Sequence, residues 1–449
     1  MPGRKRSQIT RANALFRSVL SPDRLQAEAR RAGFVQRQRI ADASSYFWAL
    51  VVTLGSQSTQ YLSDVLRTLN SQQGWSLRYK PFWNRLAKPA FPRFMRETFQ
   101  RLCTDLVVRV VRREVKNAAS YFSDIFIDDG SSFGLADGLR DVFPGRFTKI
   151  RPAAVELHAR MSLFQDQIAS VSLAPDTRGE REFTPAPQTL LKRSLSIRDR
   201  GYLGLGYFEQ LEGTEAFLIC RSPRIIDPTV VKMRGVARSF ARRWEGKALK
   251  EIPRKYLKAA SDLVVAFRRP HGMPLELRLV VRELPPSKRR LPRHPRKEPQ
   301  KPESSWLYLL TNLPEEKFSA EDVQQLYRLR WQIELAFKDW KSYANLHAFQ
   351  SENAAIVEGL IWASLCAAFI KRSLAHWAQL VCHRPISTRI AAQAGPQILN
   401  TLAAWAIQGR PARLLERILD YLAQNAQRAH PNRDKLRPQQ AVGLHFAFT

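Results

Sequence analysis

Asp124-Ile-Phe-Ile-Asp128-Asp129-Gly130-Ser131-Ser132 is a short apolar run that ends in an acidic turn, and the pattern of the chain changes there. The run predicts a strand. Ala153 to Phe164 and Gln167 to Ala174 predict two more, joined by a tight Gln165-Asp166 turn. Leu195-Ser-Ile197 leads into Arg198-Asp199-Arg200-Gly201-Tyr202, another strand that ends in an acid and a turn. A helix from Leu205 to Leu211 and a strand from Glu215 to Cys220 follow. Three strands, a short connection, a strand and then alternating helix and strand predict an α/β core.

On either side of this core the sequence reads as helical. Ser21-Pro22-Asp23 is a helix start, and Leu25, Ala29 and Ala32 recur at helical spacing. Tyr46 to Leu54 and Tyr61 to Leu69 continue as helices. Tyr79, Lys80, Phe82, Trp83, Arg85 and Lys88 interleave cations with aromatic rings, a mixture that either contacts nucleic acid or buries rings under Arg and Lys stems. Between 222 and 305 the chain carries 22 basic against 8 acidic residues. Strands are predicted there at Leu263 to Phe267 and Leu275 to Val281. The stretch closes in a basic, Pro-rich segment, Glu283 to Glu303, that suits neither a helix nor a central strand. Trp306-Leu-Tyr-Leu-Leu310 returns to strand, a long helix is predicted from Ser319 to Tyr343, and residues 350–430 are helical again.

The 449 residues carry 72 Lys and Arg against 40 Asp and Glu, a formal charge of +32. Such a field disfavours cationic substrates and suits a polyanion, nucleic acid first. Hydrophobic residues at 44% and charged residues at 25% are ordinary for a globular protein. Cys103, Cys220, Cys366 and Cys382 are far apart, with no zinc-type spacing and no disulfide framework, which suits a reducing compartment. The basic N-terminus lacks the apolar segment of a signal peptide. Gly359 to Ile370, the most apolar stretch, is shorter than the roughly 20 residues of a membrane span. A soluble, cytosolic or nucleoid-facing protein without membrane contact is expected.

The predicted helix from Ser319 to Tyr343 carries the chemistry. Tyr327, Arg330, Glu334 and Lys341 lie at offsets 0, 3, 7 and 14. At ~100° per residue they project to about 0°, −60°, −20° and −40°, a single narrow face. Leu326, Leu329, Ile333, Phe337 and Trp340 make the adjacent stripe, suited to packing on a sheet. A carboxylate among Arg, Lys and a phenol is what a metal ion and a phosphate need; the plainer possibility is a solvated face with an Arg330–Glu334 ion pair. Asp129 and Asp199, each at a strand end, supply two more hard oxygen ligands, although an acid there is commonly a turn former.

Tyr327, two residues, Arg330, three residues, Glu334, six residues, Lys341 resembles the Y-R-E-K signature of the insertion-sequence-4 family of DDE transposases. Asp129-Gly130-Ser131 and Asp199-Arg200-Gly201-Tyr202 resemble the surroundings of the family's first and second catalytic aspartates, in the right order. The resemblance covers about 120–345, including the insertion between second Asp and Glu. It implies a ribonuclease-H-like core with a β-rich insertion, flanked by helical N- and C-terminal regions. The divisions would be 1–115, helical and DNA-binding; 116–221, the first part of the core; 222–305, the basic insertion; 306–348, the second part with the signature helix; and 349–449, helical, with a role in dimerisation.

The same resemblance implies cut-and-paste transposition. Asp129, Asp199 and Glu334 would be catalytic and would hold two Mg²⁺ ions, with Mn²⁺ as a substitute. Tyr327, Arg330 and Lys341 would grip DNA phosphates. Trp306 would stack on a flipped base, as in hairpin-forming members, unless it is a core aromatic. The partners would be double-stranded DNA, as terminal inverted repeats and target, and a second copy of the chain in a synaptic complex. Asp128 competes with Asp129 as the ligand, and strand alternation allows only one of them to face the site. A nuclease without strand transfer and an inactive DNA-binding remnant are the alternative functions. His347, just past the signature helix, is read as incidental.

Overall fold

The computed structural model describes residues 2–37, 41–56, 61–115, 117–223, 227–257, 262–284, 306–346, 349–407, 412–428 and 436–446. His347 and most of the segment Glu283 to Glu303 lie outside the described residues. The strands are β1 (Val111–Arg113), β2 (Ile125–Gly134), β3 (Ala154–Ser162), β4 (Gln167–Pro175), β5 (Leu195–Arg198), β6 (Phe217–Ser222), β7 (Thr229–Arg234), β8 (Asp262–Phe267), β9 (Leu275–Glu283), β10 (Trp306–Thr311) and β11 (Leu444–Phe446). Among the described residues, nine of them form one sheet in the order β4-β3-β2-β5-β6-β10-β9-β8-β7. Only β2–β5 and β5–β6 are parallel pairs; the others are antiparallel. The mixed α/β architecture agrees with the sequence, and the turn between β3 and β4 is as tight as predicted, with Asp166 at φ 47°.

Strands β7, β8 and β9 extend the central sheet through β10. Of these, β7 had no strong sequence signal, because Thr229–Arg234 is short and follows Pro228. A separate pair joins β1 to β11, bringing residues near 444 beside those near 112.

Among the described residues, six helices precede the sheet: α1 (Pro2–Leu20), α2 (Pro22–Arg31), α3 (Ala43–Ser56), α4 (Leu62–Gln73), α5 (Tyr79–Leu86) and α6 (Ala90–Asp105). Within and after it come α7 (Leu205–Leu211), α8 (Arg238–Arg242), α9 (Arg254–Leu257), α10 (Ala320–Arg328), α11 (Trp331–Tyr343), α12 (Ala354–Cys382), α13 (Thr388–Gln393), α14 (Gly395–Ile407), α15 (Arg413–Asn425) and α16 (Leu436–Gln440). Helix α12 packs against α3, α6 and α15, so N- and C-terminal helices share one core. By length and hydropathy α12 could cross a membrane, but 78% of its most apolar window is buried inside the fold. The apolar stretch is thus part of a much longer helix than Gly359 to Ile370, and its neighbours cover it. On α5, Phe82 is buried and Arg85 lies over the rings of Phe34 and Tyr46, while Tyr79 is exposed.

Alternation sorts the sheet into two faces. Ile125, Ile127, Ile197, Ile219 and Leu309 share one core with Leu326, Leu329, Ile333, Phe337 and Trp340, the predicted stripe. Trp306, Tyr308 and Leu310 point the other way, into a second core with Cys220, Leu263 and Leu279.

The long helix expected from Ser319 to Tyr343 is in fact two. Ser319 caps α10 by accepting from the Asp322 N–H, but Leu329 and Arg330 separate α10 from α11. There the backbone winds more tightly: Leu329 N–H donates to Leu326 O, Arg330 N–H to Tyr327 O and Gln332 N–H to Leu329 O, each three residues back. The interruption falls where Arg330 engages carboxylates on and beside the sheet.

Candidate active site

Asp129 sits at the middle of β2, one residue past its partner-rich neighbour Asp128. In register, Asp128 lies opposite Arg160 on β3 and Arg198 on β5. Its carboxylate accepts from Arg160 Nη1 at 3.0 and 3.1 Å and from Arg198 Nε at 2.8 Å. Asp129, pointing to the other face, lines an open cleft of about 480 Å³ with Asp199, Glu334, Arg330 and Lys341. Asp128 is therefore consumed by two arginines on the back of the sheet, Arg198 buried and Arg160 partly so, and Asp129 is the acid that faces the cleft.

Asp199 follows the last residue of β5, and parallel pairing of β5 with β2 puts both acids at the same end of the sheet. Two glycines make room for this arrangement. A Cβ on Gly130 would meet the Glu156 carboxylate, and one on Gly201 would meet that of Glu180. Each acid thus has a glycine within two residues, against which a glutamate packs.

The third carboxylate comes from α11, which packs across β2. Arg330 Nη1 donates to Asp129 Oδ2 at 2.8 Å, and its other terminal nitrogen pairs with Glu334. Tyr327 donates its hydroxyl to Asp199 Oδ1 at 3.1 Å. Lys341 Nζ donates to Ser132 O at 3.1 Å. Three residues of the predicted face, Tyr327, Arg330 and Lys341, therefore meet an aspartate or the strand carrying one, and Glu334 is tied to them through Arg330. Trp306 does not join them. It is 8% exposed, on the opposite face of the sheet, within the second core.

The two aspartates differ in protonation. Burial pushes Asp129 up to about 7, helped by Asp199 and Glu334 and opposed by Arg330. Burial acts on Asp199 as well, but Arg330, the Arg200 N–H, Arg221 and the Tyr327 hydroxyl outweigh it and hold the carboxyl below its usual range. Arg330, though partly desolvated, is held above its ordinary value by Asp129, Tyr327, Asp199 and Glu334. Of the two aspartates, burial favours the neutral form of Asp129, while the surrounding donors favour the charged form of Asp199.

Sequence reasoning missed Arg221, 3.7 Å from Asp199. Its signal was register, since Cys220 on β6 pairs with Arg198 and so puts Arg221 level with Asp199. It also missed Glu180, which no motif marks.

Three carboxylates from β2, β5 and α11 are a hard-oxygen donor set suited to Mg²⁺ or Mn²⁺. Among the described residues, no group of three or more His, Cys, Asp or Glu side chains is drawn together closely enough to hold an ion. In this cleft the counter-charge is Arg330, which pairs with two of the three acids. The donor chemistry fits a divalent ion, and the acids would have to exchange Arg330 for it.

The chain is similar to several known transposases. The transposase for insertion sequence element IS421 of Escherichia coli is 41% identical over 110 residues, covering 22% of this chain and about 30% of that relative's length. The transposase for IS231B of Bacillus thuringiensis subsp. berliner is 23% identical over 388 residues, 78% of this chain and 77% of the relative. A piggyBac transposase in a synaptic complex with hairpin DNA aligns over 95% of this chain and 87% of its own, at 12% identity and a TM-score of 0.41. Residues 121–370, more than half of the chain and including every acid of the cleft, match the family described as the transposase DDE domain, and the chain belongs to that family.

Proposed function

We propose that this chain is a cut-and-paste DNA transposase of the insertion-sequence-4 kind, with a ribonuclease-H-like core in which Asp129, Asp199 and Glu334 hold two divalent ions. The observation that carries the proposal is the convergence of these acids, from three separate elements, on one cleft flanked by Arg330 and Lys341. When bound, Mg²⁺ or Mn²⁺ would supply activation of the attacking water or 3′-hydroxyl and stabilisation of the leaving oxygen.

The side chains divide the remaining work. Tyr327 orients Asp199 through its hydroxyl. Arg330 neutralises Asp129 and Glu334; with divalent ions held by those acids, its guanidinium would be available to grip a phosphate through two N–H groups. Lys341 contributes a second phosphate contact from the far end of α11. Double-stranded DNA, first the terminal inverted repeats and then the target, is the partner that a charge of +32 favours. Pairing of two ends calls for a homodimer, acting in the bacterial cytoplasm.

The test is a joining assay. The full chain is incubated with Mg²⁺, a duplex carrying the terminal repeats that bracket its coding sequence, and a circular target. Covalent linkage of a repeat 3′-end to the circle is expected. Cleavage without joining would make the protein a nuclease, and binding without cleavage would make it an inactive remnant.

A further inference from the structure

The loop between β2 and β3 leaves the cleft side of the sheet just past Ser132, the residue that receives Lys341. Its base is fixed. Leu139 and Phe143 are buried, Gly145 N–H donates to Pro152 O at 2.9 Å, and Arg146 donates from Nε to Asp176 O at 3.2 Å. Its tip is a tight turn in which the N–H groups of Ile150 and Arg151 both donate to Phe147 O, at 2.9 and 2.7 Å.

That turn presents apolar side chains to water. Phe147 is 62% exposed and Ile150 81%. A single exposed apolar residue is ordinary, but here two sit in one rooted turn with exposed Lys149 and Arg151 among them. Arg151 lies against Gly134 at the end of β2. Burial and the nearby charge of Arg151 both hold Lys341 below its ordinary pKa, so the turn and the cleft share one positive field.

We infer that the Phe147–Arg151 turn is a second DNA-contacting element, in which Phe147 and Ile150 pack against bases beside the cut while Lys149 and Arg151 hold the flanking phosphates. The inference rests on the proposed action of the cleft on DNA. Apolar side chains between basic ones match a nucleic acid whose bases are partly unstacked: the rings and methyl groups cover base faces, and the cations meet the backbone. A second copy of this chain is the competing occupant, but the cations around the turn would repel an equally basic partner.

The experiment compares binding of the full-length protein to a short mixed-sequence duplex and to the same duplex with a single-strand gap, across a salt series. Phe147→Ser/Ile150→Ser should bind the gapped duplex about 10-fold or more weaker, with the slope of log K against log salt unchanged. Lys149→Ala/Arg151→Ala should reduce that slope by about 0.9 per lost phosphate contact. Circular dichroism checks that the exposed substitutions leave the fold intact. Wild-type affinity in the Ser variant at every salt concentration overturns the inference. So does a Ser variant that dissociates in sedimentation but binds DNA normally, which would make the turn a contact between copies. Failure of the wild type to bind either duplex in a salt-dependent way would instead defeat the DNA reading of the cleft.

Discussion

Arg198 donates from Nε to Asp128 Oδ2 at 2.8 Å, and each of the two immediately precedes a cleft acid, Asp199 and Asp129. The pair ties β5 to β2 on the back of the sheet and so sets where the two acids emerge on the front. Arg198 is fully buried and Asp128 nearly so, and Arg198 also donates to the Tyr207 hydroxyl at 3.0 Å. Removing Arg198 takes one of two cations from a buried carboxylate and leaves Arg160 to hold it alone. Arg198→Met should therefore cost about 3–5 kcal/mol of unfolding free energy, measured by urea denaturation. A loss below about 1 kcal/mol would show that Arg160 alone satisfies Asp128.

Behind the same strands, Glu156 and His158 oppose each other as pH changes. Burial, with Glu180 next, pushes Glu156 up to about 7 against the pull of Arg146. An unfolded Glu titrates near ~4.3, so between about 4.3 and 7 the native state binds more protons and stability falls as pH rises. Burial pushes His158 down to about 4. The unfolded ring, near ~6.5, binds more protons, so its contribution makes stability rise between about 4 and 6.5. Glu156→Gln should steepen the rise of stability with pH in this window, and His158→Asn should steepen the fall. Melting temperatures from pH 4 to 7 that move in parallel with wild type would contradict both assignments.

Lys371, on α12, is buried and donates to Gly55 O, Tyr343 O and Ala392 O at 2.8, 2.7 and 2.8 Å. These carbonyls lie at the C-terminal ends of α3, α11 and α13, where no intrahelical N–H is available and the helix dipoles favour a cation. Lys371→Met strands all three, at about 1–3 kcal/mol for each buried carbonyl. A large drop in melting temperature is expected, and a change of only a degree or two would show that other donors replace the ammonium.

Trp306 is a core residue in this structure, so Trp306→Ala should cost about 3–5 kcal/mol. DNA nicking should fall only in step with the folded fraction. A variant of full stability that selectively loses a step after nicking would restore its reading as a base-stacking platform.

The α/β core was legible because its strands begin in short apolar runs, as at Ile125 and Leu195, but the expected acidic turn at Asp128 to Ser132 is instead strand, since β2 runs on to Gly134 in pairing with β3. The face of Tyr327, Arg330, Glu334 and Lys341 was legible because spacing alone puts those side chains together. The break at Leu329–Arg330 was not, since both residues suit a helix and the tighter winding accompanies a contact with Asp129, some two hundred positions earlier. Alternation said that only one of Asp128 and Asp129 could face the site and the resemblance favoured Asp129, but the physical reason, Arg160 and Arg198 holding Asp128 from β3 and β5, is visible only in the fold. The burial of Trp306 depends on which face of β10 meets the second core, which its own short strand does not specify. Arg221 and the Phe147–Arg151 turn are significant only because of what lies beside them in space.

The most direct test of the central claim is the rate of Mg²⁺-dependent cleavage of the terminal-repeat duplex by Asp129→Ala, Asp199→Ala and Glu334→Ala, each beside its affinity for the same duplex. Each substitution should abolish cleavage while leaving affinity within a few-fold of wild type, and Asp128→Ala should show its main defect in stability. Cleavage at the wild-type rate by Asp129→Ala, or by all three variants, would contradict the account.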